Sequence, residues 1–154
     1  MVHAAKASHI GGCLSMADIL AVLYTRILRI DPADPQAASR DRFVLSKGHA
    51  TAIMYATLAE CGFFSQAELD TYCRDGSNFT GHVSHAVPGV EVSTGSLGHG
   101  LPIAIGMALA ARNAGAGSAM PMAIGRPWPS DPVETSTPGT AWLTWPVKFD
   151  PSRQ

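Results

Sequence analysis

The sequence predicts an α/β domain in which helices pack around a parallel sheet and the connecting loops carry the ligand groups. A β-prone run at residues 42–46 follows a polar loop and predicts a buried strand. Apolar residues recur at helical spacing after Ser15, His49 and Gly98, which predicts helices on either side of that strand in the chain. Histidines and glycines lie in the turns between these elements, where binding residues are concentrated.

Capping and breaking residues predict the first two helices. Ser15 and Asp18 form a capping-box pattern, so the first helix is expected to begin there and to end near Arg29, before two Asp-Pro pairs. A second helix follows Lys47-Gly48-His49. Gly62 is expected just beyond its carboxyl end, because glycine readily takes the left-handed conformation required there.

Two further helices are predicted on the carboxyl side. Ser65 and Glu68 form another capping box, which opens a short helix. Residues 75–89 predict a loop that begins with an Asp-Gly turn. A last helix is expected at about residues 98–112, where many small side chains allow close packing.

Composition limits the classes of function. The 154 residues allow one domain, and 46% hydrophobic with 15% charged residues describe a globular chain. A net charge of −1 gives no reason to expect nucleic acid or an anionic membrane as partner. No apolar run approaches the roughly 20 residues that span a bilayer. No signal-peptide pattern is present, and three cysteines without metal spacing predict reduced thiols in the cytoplasm.

Composition changes abruptly near Ala114. Seven of the eleven prolines and all three tryptophans follow it, whereas all six histidines precede it. A proline-rich linker or docking tail would explain this segment. We favour an alternative, in which residues 115–154 do not belong to the domain that residues 1–114 form.

The segment from Thr94 to Gly100 is the most informative part of the chain. Three glycines in six residues let the backbone approach a ligand closely, and the helix behind them directs free N–H groups at an anion such as a phosphate. A tight turn before a buried helix would explain the segment equally well. Its neighbours decide between the two, and they are Ser8-His9-Ile10-Gly11-Gly12, Leu45-Ser46-Lys47-Gly48-His49-Ala50, Gly81-His82 and Pro88-Gly89-Val90-Glu91-Val92-Ser93.

In order and approximate spacing, these motifs resemble the amino-terminal part of transketolases, most closely the amino-terminal subunits of split transketolases. The resemblance covers roughly residues 1–114. It implies transfer of a two-carbon ketol unit between sugar phosphates, with thiamine diphosphate and Mg²⁺ as cofactors. It also implies a homo-oligomer and a companion carboxyl-terminal subunit.

Two alternatives stay open beside this interpretation. In the first, the chain is a non-catalytic fragment or subunit that pairs with a companion transketolase chain. In the second, the chain belongs to a related enzyme, because the 1-deoxyxylulose-phosphate synthases and the pyruvate-decarboxylating enzymes share parts of the pattern. Ser8-His9, Gly81-His82 and the Pro88–Glu91 run favour transketolase over these relatives.

The resemblance implies roles for individual residues. His9 would contact the substrate hydroxyls and help proton transfer, and His82 would reach the ketose or the reactive carbon of the cofactor. Histidine suits such tasks because its ordinary pKa is near 6.5 and it both donates and accepts hydrogen bonds. The residues expected to bind the cofactor are His49, Gly95, Ser96 and Leu97.

Other polar residues near these motifs receive no ligand role. Lys47 is expected to be a solvated loop cation. His85 follows His82 by three residues, but the stretch contains no third metal ligand, so no metal site is predicted. Glu91 is expected to be structural, because in this family the activating acid comes from the other half of the enzyme. His99 stands where many relatives carry glutamine.

The family's Mg²⁺ motif is missing. The resemblance predicts a Gly-Asp-Gly type motif soon after Arg112 and an asparagine further on, as oxygen ligands for Mg²⁺. Residues 115–154 contain no Asp-Gly pair and no asparagine, and little chain precedes the first motif. We therefore predict a truncated and inactive chain.

A frameshift would explain both the missing motif and the change of composition. Pro121-Met122-Ala123-Ile124 is encoded by CCN-ATG-GCN-ATH, and reading from the third base gives NAT-GGC-NAT, which can encode Asp-Gly-Asp. Sequencing the coding DNA in all three frames tests this hypothesis, and the lack of a long alternative frame would contradict it.

Overall fold

The computed structural model describes residues 1–7, 9–113, 121–124 and 145–146. Within these ranges the α-helices are α1 (Val2–Ala5), α2 (Ile10–Val22), α3 (Thr51–Glu60) and α4 (Gly100–Asn113). A π-helical turn covers Leu23–Ile27, and 3-10 turns cover Gly48–Ala50 and Gln66–Thr71. The strands are β1 (Arg42–Leu45), β2 (Pro121–Ile124) and β3 (Trp145–Pro146). The predicted boundary near Ala114 falls at the edge of a segment outside the described residues.

The main core lies where α2 packs against α3. On α2, Met16 and Leu20 are one helical turn apart and fully buried. On α3, Met54 and Leu58 repeat the same spacing and are also buried. Complete burial of such a side chain stabilises the fold by about 1.5–3 kcal/mol. The packing of these two apolar faces therefore determines how α2 lies over the turn that precedes α3.

Strand β1 pairs in parallel with β2, with Phe43 opposite Met122 and Leu45 opposite Ile124. β3 pairs antiparallel to β2. Three of the four β1 residues are buried, as predicted for a strand inside a layered domain. A wider parallel sheet enclosed by helices stays a prediction.

Two of the predicted capping signals are confirmed. At the end of α3, Gly62 has a φ of +86° and the Phe63 N–H donates to the Leu58 carbonyl at 3.0 Å, so the predicted C-terminal glycine is in place. The Ser65–Glu68 capping box is also present, although the segment that it opens is a 3-10 turn.

The predicted capping box at Ser15 is wrong. Helix α2 begins at Ile10, with His9 as its N-cap residue. Ser15 lies inside the helix, where its hydroxyl donates to the Gly12 carbonyl at 2.8 Å. A serine hydroxyl within a helix can bond back to the preceding turn in this way, so the Ser-Asp spacing was no evidence for a helix start.

The helical stretch Ile10–Ile27 comes closer to a membrane span than the sequence pattern indicated. It has 18 residues and a mean hydropathy of 1.4, which meets the length and composition of a span. Core helices of soluble domains and signal sequences meet the same criteria. Of this stretch 28% is buried; Met16 and Leu20 pack in the core, whereas Ile10, Leu14 and Val22 are exposed.

Candidate functional site

Two of the candidate histidines meet at the start of α2. His9 occupies the N-cap position of this helix, and His49 lies in the 3-10 turn that leads into α3. Their ring centroids are 4.9 Å apart, with an angle of 64° between the ring planes. A Cβ atom added to Gly12 would lie 3.6 Å from Cδ2 of His49, so the first turn of α2 runs directly past this ring.

Gly48 allows a distant loop to close on this turn. A Cβ atom there would lie 2.5 Å from the carbonyl carbon of Thr94, a distance that a real side chain cannot adopt. The Thr94 hydroxyl donates to the Leu45 carbonyl at 2.5 Å. The Val83 N–H donates to the Gly48 carbonyl at 3.3 Å, and the Thr94 N–H donates to the Val83 carbonyl at 3.3 Å. Three segments far apart in sequence are thereby joined.

The same contacts bring His82 to the glycine-rich segment. A Cβ atom at Gly95 would lie 3.5 Å from Cδ2 of His82, so the Gly95 backbone passes beside the imidazole. Gly95, Ser96 and Leu97 are exposed, as is His82. This side of the site is therefore open to a ligand.

The electrostatics of His49 show that the basic groups share one neighbourhood. Burial lowers the pKa of His49 below its ordinary value, and electrostatic repulsion from the basic side chains of His9, Lys47 and His82 lowers it further. The structure thus brings together the three candidate histidines that the sequence placed in separate loops.

Lys47 is buried, which corrects the prediction of a solvated loop cation. It is 8% exposed, and its Nζ donates to the Ser15 hydroxyl at 2.8 Å. Burial lowers the pKa of its ammonium group, and nearby Cys13 opposes that shift. Helix α2 covers Lys47 from another part of the chain, so the local sequence held no signal of this burial.

Ser46 is a polar residue of the site for which the sequence predicted no role. It is fully buried, and its Oγ has no hydrogen-bond partner among the described residues. A Cβ atom at Gly100 would lie 2.9 Å from this oxygen, so the hydroxyl faces the start of α4. Burying an unpaired hydroxyl costs about 1–3 kcal/mol, and such a group in a native fold calls for a partner such as a ligand or an ordered water.

His85 and Glu91 have partners within the fold. His85 contacts the Ser93 hydroxyl through its Nδ1 at 2.8 Å and its backbone N–H at 3.0 Å. No three metal-ligating side chains cluster among the described residues. Glu91 forms ion pairs with Arg40 and Arg42, which is the structural role expected for it. His99 is exposed and its carbonyl accepts from the Ile103 N–H at 3.4 Å.

We expect NMR titration of the histidine rings, from about pH 5 to pH 8, to find the pKa of His49 below its ordinary value. Lys47→Met should raise it, because a neighbouring positive charge is removed. Lys6→Met, which changes an exposed lysine beyond α1, should leave it unchanged. An unaltered His49 titration in Lys47→Met would contradict the proximity of the two groups.

The depressed pKa of His49 also predicts a direction for stability. The folded state binds a proton at His49 less readily than the unfolded chain does. The stabilisation is therefore present above the ordinary histidine pKa and is lost as the pH falls through the lower, folded-state pKa. Urea denaturation at several pH values measures this effect. As the pH falls, the free energy of unfolding should decrease less steeply for His49→Gln than for the original chain.

Comparison with known proteins gives the family. The family described as "Transketolase, thiamine diphosphate binding domain" matches residues 1–123. The chain is 49% identical over 112 residues to one subunit of the apulose-4-phosphate transketolase of Phocaeicola vulgatus, covering 73% of this chain and 40% of that protein. It is 46% identical over 105 residues to the transketolase of Homo sapiens, covering 68% of this chain and 17% of that one.

A solved structure agrees with these sequence relatives. The transketolase of Campylobacter jejuni superposes with a TM-score of 0.70 at 39% identity, covering 73% of this chain and 18% of that one. The match therefore spans about two fifths of the Phocaeicola vulgatus subunit, but less than a fifth of the other two transketolases. The described residues have a thiamine diphosphate-binding fold, and the chain belongs to the transketolase family.

Proposed function

We propose that this chain is the thiamine diphosphate-binding part of a transketolase, which transfers a two-carbon ketol unit between sugar phosphates. The observation that carries the proposal is the convergence of His9, His49 and His82 beside the exposed Gly95-Ser96-Leu97 segment. The relative in Phocaeicola vulgatus is named as one subunit of an apulose-4-phosphate transketolase. By analogy, a companion carboxyl-terminal subunit would complete the enzyme, as a homo-oligomer in the cytoplasm.

The site has features that suit the cofactor. We assign His49, Gly95, Ser96 and Leu97 to thiamine diphosphate, which would supply the electron sink for the reaction when bound. Gly95 and Ser96 are exposed, and Leu97 exposes 47% of its surface, which suits van der Waals contact with the face of a cofactor ring. The unpaired, buried Ser46 hydroxyl supports a ligand at this end of α4.

His9 and His82 have the chemistry that a polyhydroxylated substrate requires. Both side chains are exposed, and each neutral imidazole has one donor and one acceptor nitrogen. His9 would hold hydroxyl groups at the reacting end and help proton transfer, and His82, beside Gly95, would reach the ketose or the reactive carbon of the cofactor. His49 is half-buried and contacts the His9 ring, which suits a residue that binds cofactor.

We propose that Mg²⁺ would be bound together with the diphosphate group of the cofactor. A hard cation of this kind takes oxygen ligands, and residues 115–154 contain neither an Asp-Gly pair nor an asparagine. We therefore propose that the 154-residue chain does not complete the metal site. A layered parallel sheet with helices on both faces would complete the fold around it.

A chimera tests the proposed function. Residues 1–114 would be joined to the remaining part of the Phocaeicola vulgatus subunit and expressed with the companion of that subunit. We expect ketol transfer from the chimera and none from the 154-residue chain. His9→Ala and His82→Ala should each lower kcat by about 10²-fold.

His85→Ala provides the matched control, because it removes an exposed histidine of the same loop and should leave kcat within about twofold. Ketol transfer that survives both His9→Ala and His82→Ala would overturn the assigned roles. Release of carbon dioxide from pyruvate, with no ketol transfer, would favour the related decarboxylating enzymes. Stable pairing of the 154-residue chain with the companion subunit, without activity in the chimera, would favour the non-catalytic alternative.

A further inference from the structure

Tyr55 connects the core of helix α3 to the backbone of the His82 loop. Its hydroxyl donates to the His82 carbonyl at 3.1 Å and accepts from the Ser84 N–H at 3.0 Å. Tyr55 is fully buried, so its hydroxyl reaches the loop from beneath. No sequence motif singled out this tyrosine.

The ring of Tyr55 has little freedom to move. It packs edge-to-face against Phe79, with centroids 5.3 Å apart, and against Tyr72, with centroids 6.3 Å apart. Because the core holds the ring, the hydroxyl is a fixed point to which the loop attaches. The His82 carbonyl also accepts from the Thr80 hydroxyl at 2.7 Å.

We propose that Tyr55 is a positioning residue, whose hydroxyl holds the His82 backbone so that the imidazole lies beside Gly95. The inference rests on the proposed function of His82. The chain's other contacts support it: Val83 lies between the two residues that Tyr55 bonds, and its own N–H and carbonyl are bonded to Gly48 and Thr94. His82 is therefore exposed, while its carbonyl and the backbone of the following residue are held by hydrogen bonds.

Tyr55→Phe removes both hydrogen bonds with almost no change of volume. Tyr24→Phe is the matched control, because Tyr24 is also buried but its hydroxyl donates to the Met54 sulfur at 3.9 Å rather than to the loop. Hydrogen exchange on the full chain should show the Ser84 amide exchanging at least about tenfold faster in Tyr55→Phe. The amides of α3 should keep their rates, and Tyr24→Phe should leave Ser84 unchanged.

A second variant keeps the test independent of any general loosening of the core. Thr80→Val removes the other hydroxyl bonded to the His82 carbonyl, and Thr80 is exposed. Thr80→Val should also make the Ser84 amide exchange faster, by a smaller factor than Tyr55→Phe does. Equal acceleration throughout α3 in Tyr55→Phe would show a structural role alone and would overturn the proposal.

Activity gives the second measurement, in the chimera described above. Tyr55→Phe should lower kcat by about tenfold or more, because a small displacement of a catalytic group is costly, while thiamine diphosphate affinity stays within about twofold. Faster exchange at Ser84 with an unchanged kcat would overturn the positioning role and leave the proposed function intact. A chimera without ketol transfer would overturn the proposed function, on which the positioning role in catalysis rests.

Discussion

Gly48→Ala is expected to destabilise the fold by about 3 kcal/mol, although it adds only one methyl group. The new Cβ would overlap the carbonyl oxygen and carbonyl carbon of Thr94, the latter 2.5 Å away, and would also lie 2.7 Å from the side-chain Oγ1. A backbone neighbour cannot rotate aside as a side chain can. The loop at Thr94 must therefore move, and with it the Val83 backbone that ties His82 to this turn.

The matched control for this substitution is Gly106→Ala. Gly106 lies within α4 and a Cβ atom there meets nothing within 4 Å, so the change should stabilise the helix by about 0.5–1 kcal/mol. Urea denaturation of the two variants measures the contrast directly. A Gly48→Ala protein within about 1 kcal/mol of the original would mean that the loops do not pack as closely as described.

Glu91→Gln is expected to cost about 3 kcal/mol, because it leaves a buried positive charge without its partner. The side chains of Glu91 and Arg40 are 7% and 8% exposed, and Arg42 lies 3.1 Å from the second carboxylate oxygen. Arg40 additionally donates to the Pro35 carbonyl at 2.6 Å, so it cannot leave for solvent without losing that bond as well. This cluster joins the start of β1 to the segment that leads into Thr94.

The control for the charge cluster is Glu60→Gln. Glu60 is exposed and accepts from Gln66 at 2.6 Å, so its loss should change the free energy of unfolding by less than about 0.5 kcal/mol. Because salt screens buried pairs weakly, the cost of Glu91→Gln should persist in concentrated salt. A cost that disappears in salt would mean that the cluster is solvated.

Local signals predicted local structure where the chemistry involved neighbours in the chain. Gly62 ended α3 because the left-handed turn there needs a residue without a Cβ, and Ser65 with Glu68 capped the next turn. The Ser15–Asp18 pattern has the same spacing, but the helix start that it predicted is wrong. The Ser15 hydroxyl bonds back to Gly12 and accepts from Lys47, a residue that only the folded chain brings near.

The order and spacing of the motifs around His9, His49, His82 and Gly95 were enough to identify the family, because each motif is a short, continuous run that sequence displays directly. The convergence of those motifs was decided by the tertiary structure. Burial of Lys47, the lowered pKa of His49 and the link from Tyr55 to His82 all depend on contacts between residues far apart in the chain. Local patterns hold no record of such contacts, since they arise when α2, the His82 loop and the Thr94 loop pack against α3 and the turn before it.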